Sequence, residues 1–317
     1  MAGVLAAASW LAAAPLQAKP SDHPAEVGYS YGMHETPRMM ALGGPMRAAS
    51  SSLSALYSNP ANMAVAQLYH VGAFGQILPE ARRQSYGAAV VDSLISSTGL
   101  AGGLGGVLSL QDPDGIDRQW TDVRFGLAMP LGDLFFLGLT GKYITLVQNG
   151  VGPLGQSYAS GGLVDQNILQ TVTFDAGMTL RATPEFSVAL GGENLSNPDT
   201  ALLPLMGGIG LAYITKDFGL TSDVTLEGRT YSKSNLRFQA GGEALVADRV
   251  ALRAGYRFDQ QLASHSLSAG VGYVDQKYSF DIALRRSVSG PALTSIVFGI
   301  TVHIEALGLG PSNPNGY

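Results

Sequence analysis

Regular alternation between apolar and other side chains is the feature that most constrains this chain. From Val250 to Phe258 every second residue is apolar, and Arg253 and Arg257 lie among the alternate positions. The same alternation returns from Tyr278 to Leu284. Successive side chains of a β-strand point to opposite faces, so the pattern predicts strands with one apolar face each.

The chain is rich in apolar residues but has no long apolar run. Of its 317 residues, 46% are hydrophobic, 14% are charged and 41 are glycine. Past residue 20, no stretch offers the roughly 18 uninterrupted apolar residues that a membrane-spanning helix needs. In a membrane barrel, by contrast, every second residue of a strand faces lipid. We therefore predict an all-β fold, a transmembrane antiparallel β-barrel in the lipid of the bacterial outer membrane.

The alternating runs predict about fourteen strands, an even number as in single-chain bacterial barrels. They begin near residues 68, 83, 101, 119, 135, 168, 185, 204, 218, 236, 249, 264, 278 and 293. The second and third strands have the weakest alternation, because residues 93–110 are glycine-rich. A barrel of twelve or thirteen strands is therefore also compatible with the sequence. Short polar connections alternate with longer ones, which favours tight periplasmic turns and longer external loops.

The N-terminal residues predict export. Met1 to Ala18 is almost purely apolar and ends in small residues before Lys19, which is typical of a secretory signal. No lysine or arginine precedes this run, so an upstream start, an atypical signal or a short buried helix stay open. The predicted organisation is a signal peptide at 1–18, a periplasmic N-terminus and lumen plug at 19–66, a barrel at 67–305 and a C-terminal tail at 306–317.

Charged residues are predicted to face the lumen, opposite the apolar face. A fourteen-stranded barrel is wider than side chains alone can fill and narrower than open porins, so the small-residue segment 28–66 is the expected plug, or hatch. Nearly balanced charge favours paired networks that pack a plugged lumen over an ion-selective pore. The predicted lumen charges are Asp122, Arg124, Lys142, Asp175, Arg181, Glu193, Arg253, Arg257, Asp281 and Arg285.

Other classes of function find little support. A net charge of −5 argues against nucleic-acid binding, and the absence of cysteine excludes thiol chemistry. The five histidines are scattered without metal-ligand spacing, and His303 is expected to face the lumen in a structural role. The run Gly102–Gly106 lacks the Lys-Ser/Thr of a phosphate loop and is better explained as wall near the plug. We expect no metal, no cofactor and no enzyme activity.

Two motifs of the N-terminal half carry a resemblance to a known family. Residues 41–44 read Ala-Leu-Gly-Gly, and residues 54–64 read Ser-Ala-Leu-Tyr-Ser-Asn-Pro-Ala-Asn-Met-Ala. Together they resemble the N-terminal plug of the FadL superfamily, which includes FadL-type transporters of fatty acids and aromatic hydrocarbons and PorV-type barrels of secretion machinery. Residues 191–198 and 241–257 are similar to later elements of the same group. The chain departs from the family pattern at Ser50–Ser52, where acidic residues are usual, and in the tail after the last strand.

The resemblance implies a plug motif and a function. Its plug residues here are Asn59, Pro60, Ala61, Gly43, Gly44 and Tyr57. The FadL-type members imply passive transport of hydrophobic, fatty-acid-like small molecules, whereas the PorV-type members imply a scaffold barrel that binds other proteins of a secretion, motility or envelope machine. A transporter is expected to have an empty cavity lined by the apolar plug residues, whereas in a scaffold barrel these residues are expected to be tightly packed. Those candidate ligand-lining residues are Met33, Met39, Met40, Leu42, Met46, Leu53, Leu56 and Met63.

Overall fold

The computed structural model describes residues 33–44, 46–112, 117–149, 166–198, 200, 202–228 and 234–305. The predicted signal peptide, the residues that follow it up to 32, and the C-terminal tail lie outside these ranges. Within them, no helix is both long and apolar enough to cross a bilayer.

Fourteen antiparallel strands form a closed barrel. Each strand pairs with its neighbours in the chain, and β1 (Tyr69–Leu78) pairs with β14 (Thr294–His303) to close the ring. The others are β2 (Arg83–Asp92), β3 (Ala101–Gln111), β4 (Arg118–Leu131), β5 (Phe135–Gln148), β6 (Gln166–Arg181), β7 (Phe186–Glu193), β8 (Leu205–Ile214), β9 (Phe218–Gly228), β10 (Asn235–Val246), β11 (Val250–Asp259), β12 (Ser264–Val274) and β13 (Tyr278–Ser289). The predicted barrel and its fourteen strands are confirmed, and every predicted start lies within two residues of the observed one.

The outer surface of the barrel is apolar. On β4 the side chains of Val123, Phe125 and Leu127 are 43%, 56% and 44% exposed, whereas Asp122 and Arg124 on the opposite face are 0% and 3% exposed. The predicted alternation is thereby confirmed. Closure pairs every strand with two neighbours, so no unpaired backbone edge meets lipid.

The two ends of the barrel differ in the length of their connections. The end where β1 begins and β14 finishes carries connections of three residues at 132–134, 215–217, 247–249 and 275–277. The opposite end carries the connections 149–165 and 194–204. Because membrane barrels have short periplasmic turns and longer external loops, we refer to the first as the periplasmic end and the second as the extracellular end.

The residues before β1 lie inside the barrel. We call residues 33–44 and 46–66 the lumen segment; it contains α1 (Pro37–Ala41), α2 (Leu53–Ser58) and the 3₁₀ helix η1 (Pro60–Ala64). Helix α1 contacts β11 to β14, α2 contacts β1 to β3, and η1 contacts β3 to β6. A short segment reaches strands on opposite sides of a closed ring only from within it, so the lumen segment occupies the lumen.

Candidate functional site

Glycines of the inner wall make room for the backbone of the lumen segment. Gly241 and Gly255, on adjacent strands, face Leu42, and a Cβ at either position would collide with the Leu42 backbone. Gly138 on β5 is equally close to the backbone of Ala61. The wall and the segment therefore meet backbone to backbone, at a distance that no other residue type allows.

The glycine run on β3 belongs to the same contact surface. A Cβ at Gly103 would lie 3.2 Å from Leu56, and one at Gly105 would lie 2.8 Å from the hydroxyl of Tyr57. At Gly102, on the outer face, it would meet nothing within 4 Å. The interpretation of this run as wall packed on the N-terminal segment is confirmed.

The Asn-Pro-Ala motif joins the lumen segment to the wall. The Asn59 side chain is fully buried, and its Nδ2 donates to the Arg47 carbonyl and to Thr179 Oγ1 of β6, both at 2.8 Å. Its Oδ1 accepts the N–H of Ala61 at 3.2 Å, which caps η1, and Pro60 supplies the first residue of that helix. The motif thus sets both the local turn and a contact with the barrel.

The other predicted plug residues lie in two separate contacts. Gly43 has a φ of +92°, and a Cβ there would lie 2.5 Å from the carbonyl oxygen of Tyr256. Gly44 is the next residue and also lies against the barrel wall. Tyr57 packs edge-on against Phe74 of β1, with ring centroids 5.5 Å apart, and burial raises the pKa of the Tyr57 hydroxyl. The sequence motif therefore marks residues that touch different parts of the wall.

Arg47 is the most deeply buried charge of the lumen segment. Its Nη2 lies 2.6 Å from Glu193 Oε1 of β7, and its Nη1 donates to Thr225 Oγ1 of β9 at 2.7 Å. The backbone N–H of Arg47 also donates to Asp223 Oδ1 at 3.0 Å. Burial without such partners would be costly for a guanidinium, so this contact fixes the middle of the segment to β7 and β9.

Two further charges pair with strands β10, β11 and β13. Arg38 donates to both carboxylate oxygens of Glu243 on β10, at 2.8 and 3.1 Å. Glu35 pairs with Arg285 of β13 and lies 3.5 Å from Arg257 of β11. Arg257 and Arg285 were predicted to face the lumen, and their partner is a residue of the lumen segment.

His34 makes a further contact between the lumen segment and the wall. Its Nε2 lies 3.2 Å from Asp122 Oδ2 of β4, and Arg124 donates to both oxygens of Asp122 at 3.0 and 2.8 Å. Burial lowers the pKa of His34, and the positive charges of Arg124 and Arg83 act in the same direction, against the contact with Asp122. The neutral imidazole is thereby favoured. Asp122 has its charge balanced by Arg124.

The remaining predicted lumen charges also have partners within the wall. Lys142 lies 2.6 Å from Asp175, and Arg253 pairs with Asp281. Arg181 is placed at the periplasmic end of β6, where it donates to the carbonyl of Pro184 at 3.4 Å. No group of three or more histidine or carboxylate side chains in the described ranges is arranged to hold a metal ion.

Sequence reasoning did not select the four titratable residues of the lumen segment as site residues. Their signal was present, because titratable side chains are rare in a segment otherwise built of small and apolar residues. Each of them pairs with a different set of strands, so together they hold the segment at several points around the ring. They are His34, Glu35, Arg38 and Arg47.

The predicted apolar lining is mostly packed. Met33 is half-buried and lines two of the cavities. The other seven residues are at most 5% exposed and pack against one another and the wall; they are Met39, Met40, Leu42, Met46, Leu53, Leu56 and Met63.

Two cavities lie along the same sector of the lumen, beside β1 and β11 to β14. The periplasmic cavity, of about 250 Å³, is lined by Ser52, His70 and Thr301 among others. The extracellular cavity, of about 80 Å³, includes Met33 and Arg285. The first has mixed polar and apolar walls, whereas the second is mainly apolar with several charged residues.

One layer of apolar side chains separates these cavities. On β13, Asp281 lines the periplasmic cavity and Arg285 the extracellular one, with Ala283 between them. Residues two apart on a strand are separated by roughly 6.6 Å along it, so the partition is one side chain thick. We call this the apolar layer; its members are Met40 and Ala41 of α1, Ala283 of β13 and Val297 of β14.

Comparison with known proteins identifies the fold. No protein-family model matches the sequence, and no curated protein matches it. Among solved structures, the Ralstonia pickettii toluene transporter TbuX is 12% identical, with 86% of this chain and 99% of that chain covered and a TM-score of 0.63. The Pseudomonas putida toluene transporter TodX is 12% identical (85% and 97% covered, TM-score 0.59), and a Pseudomonas aeruginosa FadL homologue is 14% identical (86% and 97%, TM-score 0.52). The chain therefore shares the β-barrel fold of these two toluene transporters and of the FadL homologue.

Proposed function

We propose that this protein is a passive channel for hydrophobic small molecules, in which the lumen segment is the plug. The observation that carries the proposal is the apolar layer, which lies between two cavities on one side of the lumen. A narrow apolar constriction excludes ions and polar solutes, because they would lose their hydration within it. An apolar solute loses little on entering, so the constriction selects for that class.

The proposed solute class draws on the solved structures of the same fold. TbuX and TodX are toluene transporters, and the likeness spans almost their full lengths. We extend the class of aromatic and fatty-acid-like solutes to this chain. Met33, which lines the extracellular cavity, offers such a solute a flexible apolar contact.

A reversible cross-link between α1 and the wall tests the route. The chain contains no cysteine, so the substitutions Ala41→Cys and Ala283→Cys introduce its only two thiols, which can form a single disulfide. The two positions pack together in the apolar layer. Oxidation should lower uptake of labelled toluene into liposomes containing the protein by about tenfold, since α1 can no longer move away from β13, and reduction should restore it.

The matched control places the two cysteines on the outer face. Ile282 and Phe298 are cross-strand partners on β13 and β14, with side chains 50% and 47% exposed on the lipid side. Oxidation of this pair should leave uptake unchanged. If oxidation of the Ala41/Ala283 pair also has no effect, the route does not pass α1. Wild-type uptake equal to that of protein-free liposomes would contradict the channel itself.

A second candidate, a scaffold barrel of an envelope machine, is favoured by the packed state of the plug. Seven of the eight predicted lining residues are at most 5% exposed, and charged contacts hold the segment at several strands. A barrel whose lumen is filled by a firmly held segment is suited to serve as a binding platform for other envelope proteins. Co-purification of a stable partner at fixed stoichiometry, together with absent uptake, would support this role over transport.

A further inference from the structure

A serine, a histidine and a glutamate form a hydrogen-bonded row at the periplasmic cavity. Ser52 Oγ lies 2.6 Å from His70 Nδ1, and His70 Nε2 lies 2.9 Å from Glu305 Oε1. Ser52 and His70 both line the cavity of about 250 Å³. We propose that these three residues form a catalytic triad that hydrolyses short-chain carboxylic esters, an activity separate from the proposed passage of solutes.

The hydrogen bonds define which ring nitrogen carries the proton. Glu305 Oε2 accepts the backbone N–H of Tyr69 at 3.0 Å, which leaves Oε1 to accept from His70 Nε2–H. With the hydrogen on Nε2, the Nδ1 lone pair faces the Ser52 hydroxyl. In chymotrypsin-type triads Nε2 faces the serine and Nδ1 faces the carboxylate, whereas here Nδ1 faces Ser52 and Nε2 faces Glu305. The three groups keep their roles of nucleophile, general base and orienting carboxylate.

The backbone of Ser52 has the conformation expected of an exposed nucleophile. Its φ is +55° and its ψ −138°, and it stands immediately before α2. A non-glycine residue at positive φ is strained, and such strain concentrates at functional sites. The serine of α/β-hydrolases sits on a similarly strained turn into a helix, which exposes its Oγ. Here the turn directs Ser52 Oγ towards His70 and the cavity.

The imidazole of His70 is held in place by its neighbours. It stacks on His303 with ring centroids 4.3 Å apart and an angle of 20° between the planes. His303 Nδ1 is itself 3.0 Å from the carbonyl of Gln276. Arg38, which is paired with Glu243, also lines the cavity and donates to Ser51 Oγ at 3.3 Å, so guanidinium N–H groups lie close to Ser52. Such N–H groups are suited to donate to a developing oxyanion on the substrate.

The chemistry balances with water as the only co-reactant. Ser52 Oγ attacks the ester carbonyl carbon as its proton passes to His70 Nδ1, forming a tetrahedral oxyanion. Collapse breaks the bond to the alcohol oxygen, which leaves with the proton from His70 and produces an acyl-Ser52. Water then attacks the acyl carbon while giving a proton to His70 Nδ1, and the second collapse releases the carboxylic acid and returns that proton to Ser52.

The size of the cavity limits the substrate. At about 250 Å³ it is smaller than the pockets that enclose drug-sized ligands, which are about 300–1,000 Å³. We therefore expect short acyl groups to be preferred, and choose p-nitrophenyl butyrate as the substrate and a fluorophosphonate as the active-site label.

The test uses the full-length protein in detergent micelles. Mass spectrometry should place the fluorophosphonate on Ser52, and p-nitrophenyl butyrate should be hydrolysed. Ser52→Gly should abolish labelling and lower hydrolysis by about 100-fold or more, and glycine accepts the positive φ, so the fold is preserved. His70→Gln should have a similar effect. Ser58→Ala, at the end of α2 and outside the lining of this cavity, is the matched control and should retain both properties.

Glu305 acts as a positioning residue and has its own readout. Glu305→Gln should lower the rate less than Ser52→Gly does and shift the acidic limb of the pH–rate profile to lower pH, because a neutral amide no longer stabilises protonated His70. Failure to label Ser52, or hydrolysis by wild type no faster than by Ser52→Gly, would overturn the proposed triad. An unchanged pH profile in Glu305→Gln would remove Glu305 from it.

Discussion

At the scale of single residues, the inner-wall glycines decide whether the lumen segment fits. Strand β5 carries one inner-wall glycine, Gly138, and one glycine on the outer face, Gly141. A Cβ at Gly138 would collide with the backbone of Pro60 and Ala61, whereas one at Gly141 has its nearest neighbour 4.0 Å away. Backbone cannot be displaced as readily as the end of a flexible side chain, so the two positions should respond differently to the same added methyl group.

We expect Gly138→Ala to destabilise the protein by about 1–3 kcal/mol, the usual cost of forcing extra atoms into a packed interior. Gly141→Ala should be close to neutral. Urea unfolding in liposomes measures both free energies, and limited proteolysis reports whether the lumen segment is released. Equal losses in the two variants would show that packing of η1 against β5 does not limit stability.

At the scale of elements, the lumen segment is held by charged side chains that reach separate strands. Arg47 is the clearest case, since Glu193 and Asp223 lie on β7 and β9 and are both mostly or fully buried. Removal of the guanidinium leaves two carboxylates without their cation in a low-dielectric interior. The effect of its removal should therefore exceed that of any surface ion pair.

Arg47→Met should lower the free energy of unfolding by about 3–5 kcal/mol, as expected when one partner of a buried ion pair is removed. The control is Lys216→Met, whose pair with Asp248 spans 3.9 Å between side chains that are 82% and 74% exposed. That change should cost about 0–1 kcal/mol. Heat-modifiable migration on gels and urea titration compare the stabilities of the two variants. If Arg47→Met loses no more free energy of unfolding than Lys216→Met does, Arg47 does not hold the lumen segment as described.

At the scale of the whole molecule, the closed barrel assigns opposite surroundings to adjacent side chains. Phe298 faces lipid, whereas Thr301, three positions along the same strand, lines the periplasmic cavity. Alternation alone treats all inward positions as equivalent. The structure distinguishes them, because Val297 faces inward and is nevertheless part of the apolar layer with Met40.

Phe298→Arg should therefore cost about 2–4 kcal/mol if the residue lies near the middle of the bilayer. Thr301→Gln should be tolerated, since its side chain can extend into the cavity. Urea unfolding in liposomes, with both variants folded into the same lipid, gives the comparison. A similar tolerance at the two positions would contradict the assignment of the outer face.

The sequence by itself determined the barrel. Fourteen strands, their starts and their apolar faces follow from a two-residue period, which is a local property that lipid outside and a polar wall inside impose on every strand. The small residues of segment 28–66 also predict that it enters the lumen, and the resemblance of the motif around Asn59 to the plug of the FadL superfamily supports that prediction.

Only the tertiary structure decided which side chains meet. Arg47 and Asp223 are 176 residues apart, and His70 and Glu305 are 235 apart. Their contacts depend on the path of the lumen segment and on the closure of β1 against β14, neither of which leaves a periodic trace in the sequence. Whether methionines line a cavity or fill it depends on the same long-range packing, since a few ångströms of backbone position separate the two outcomes.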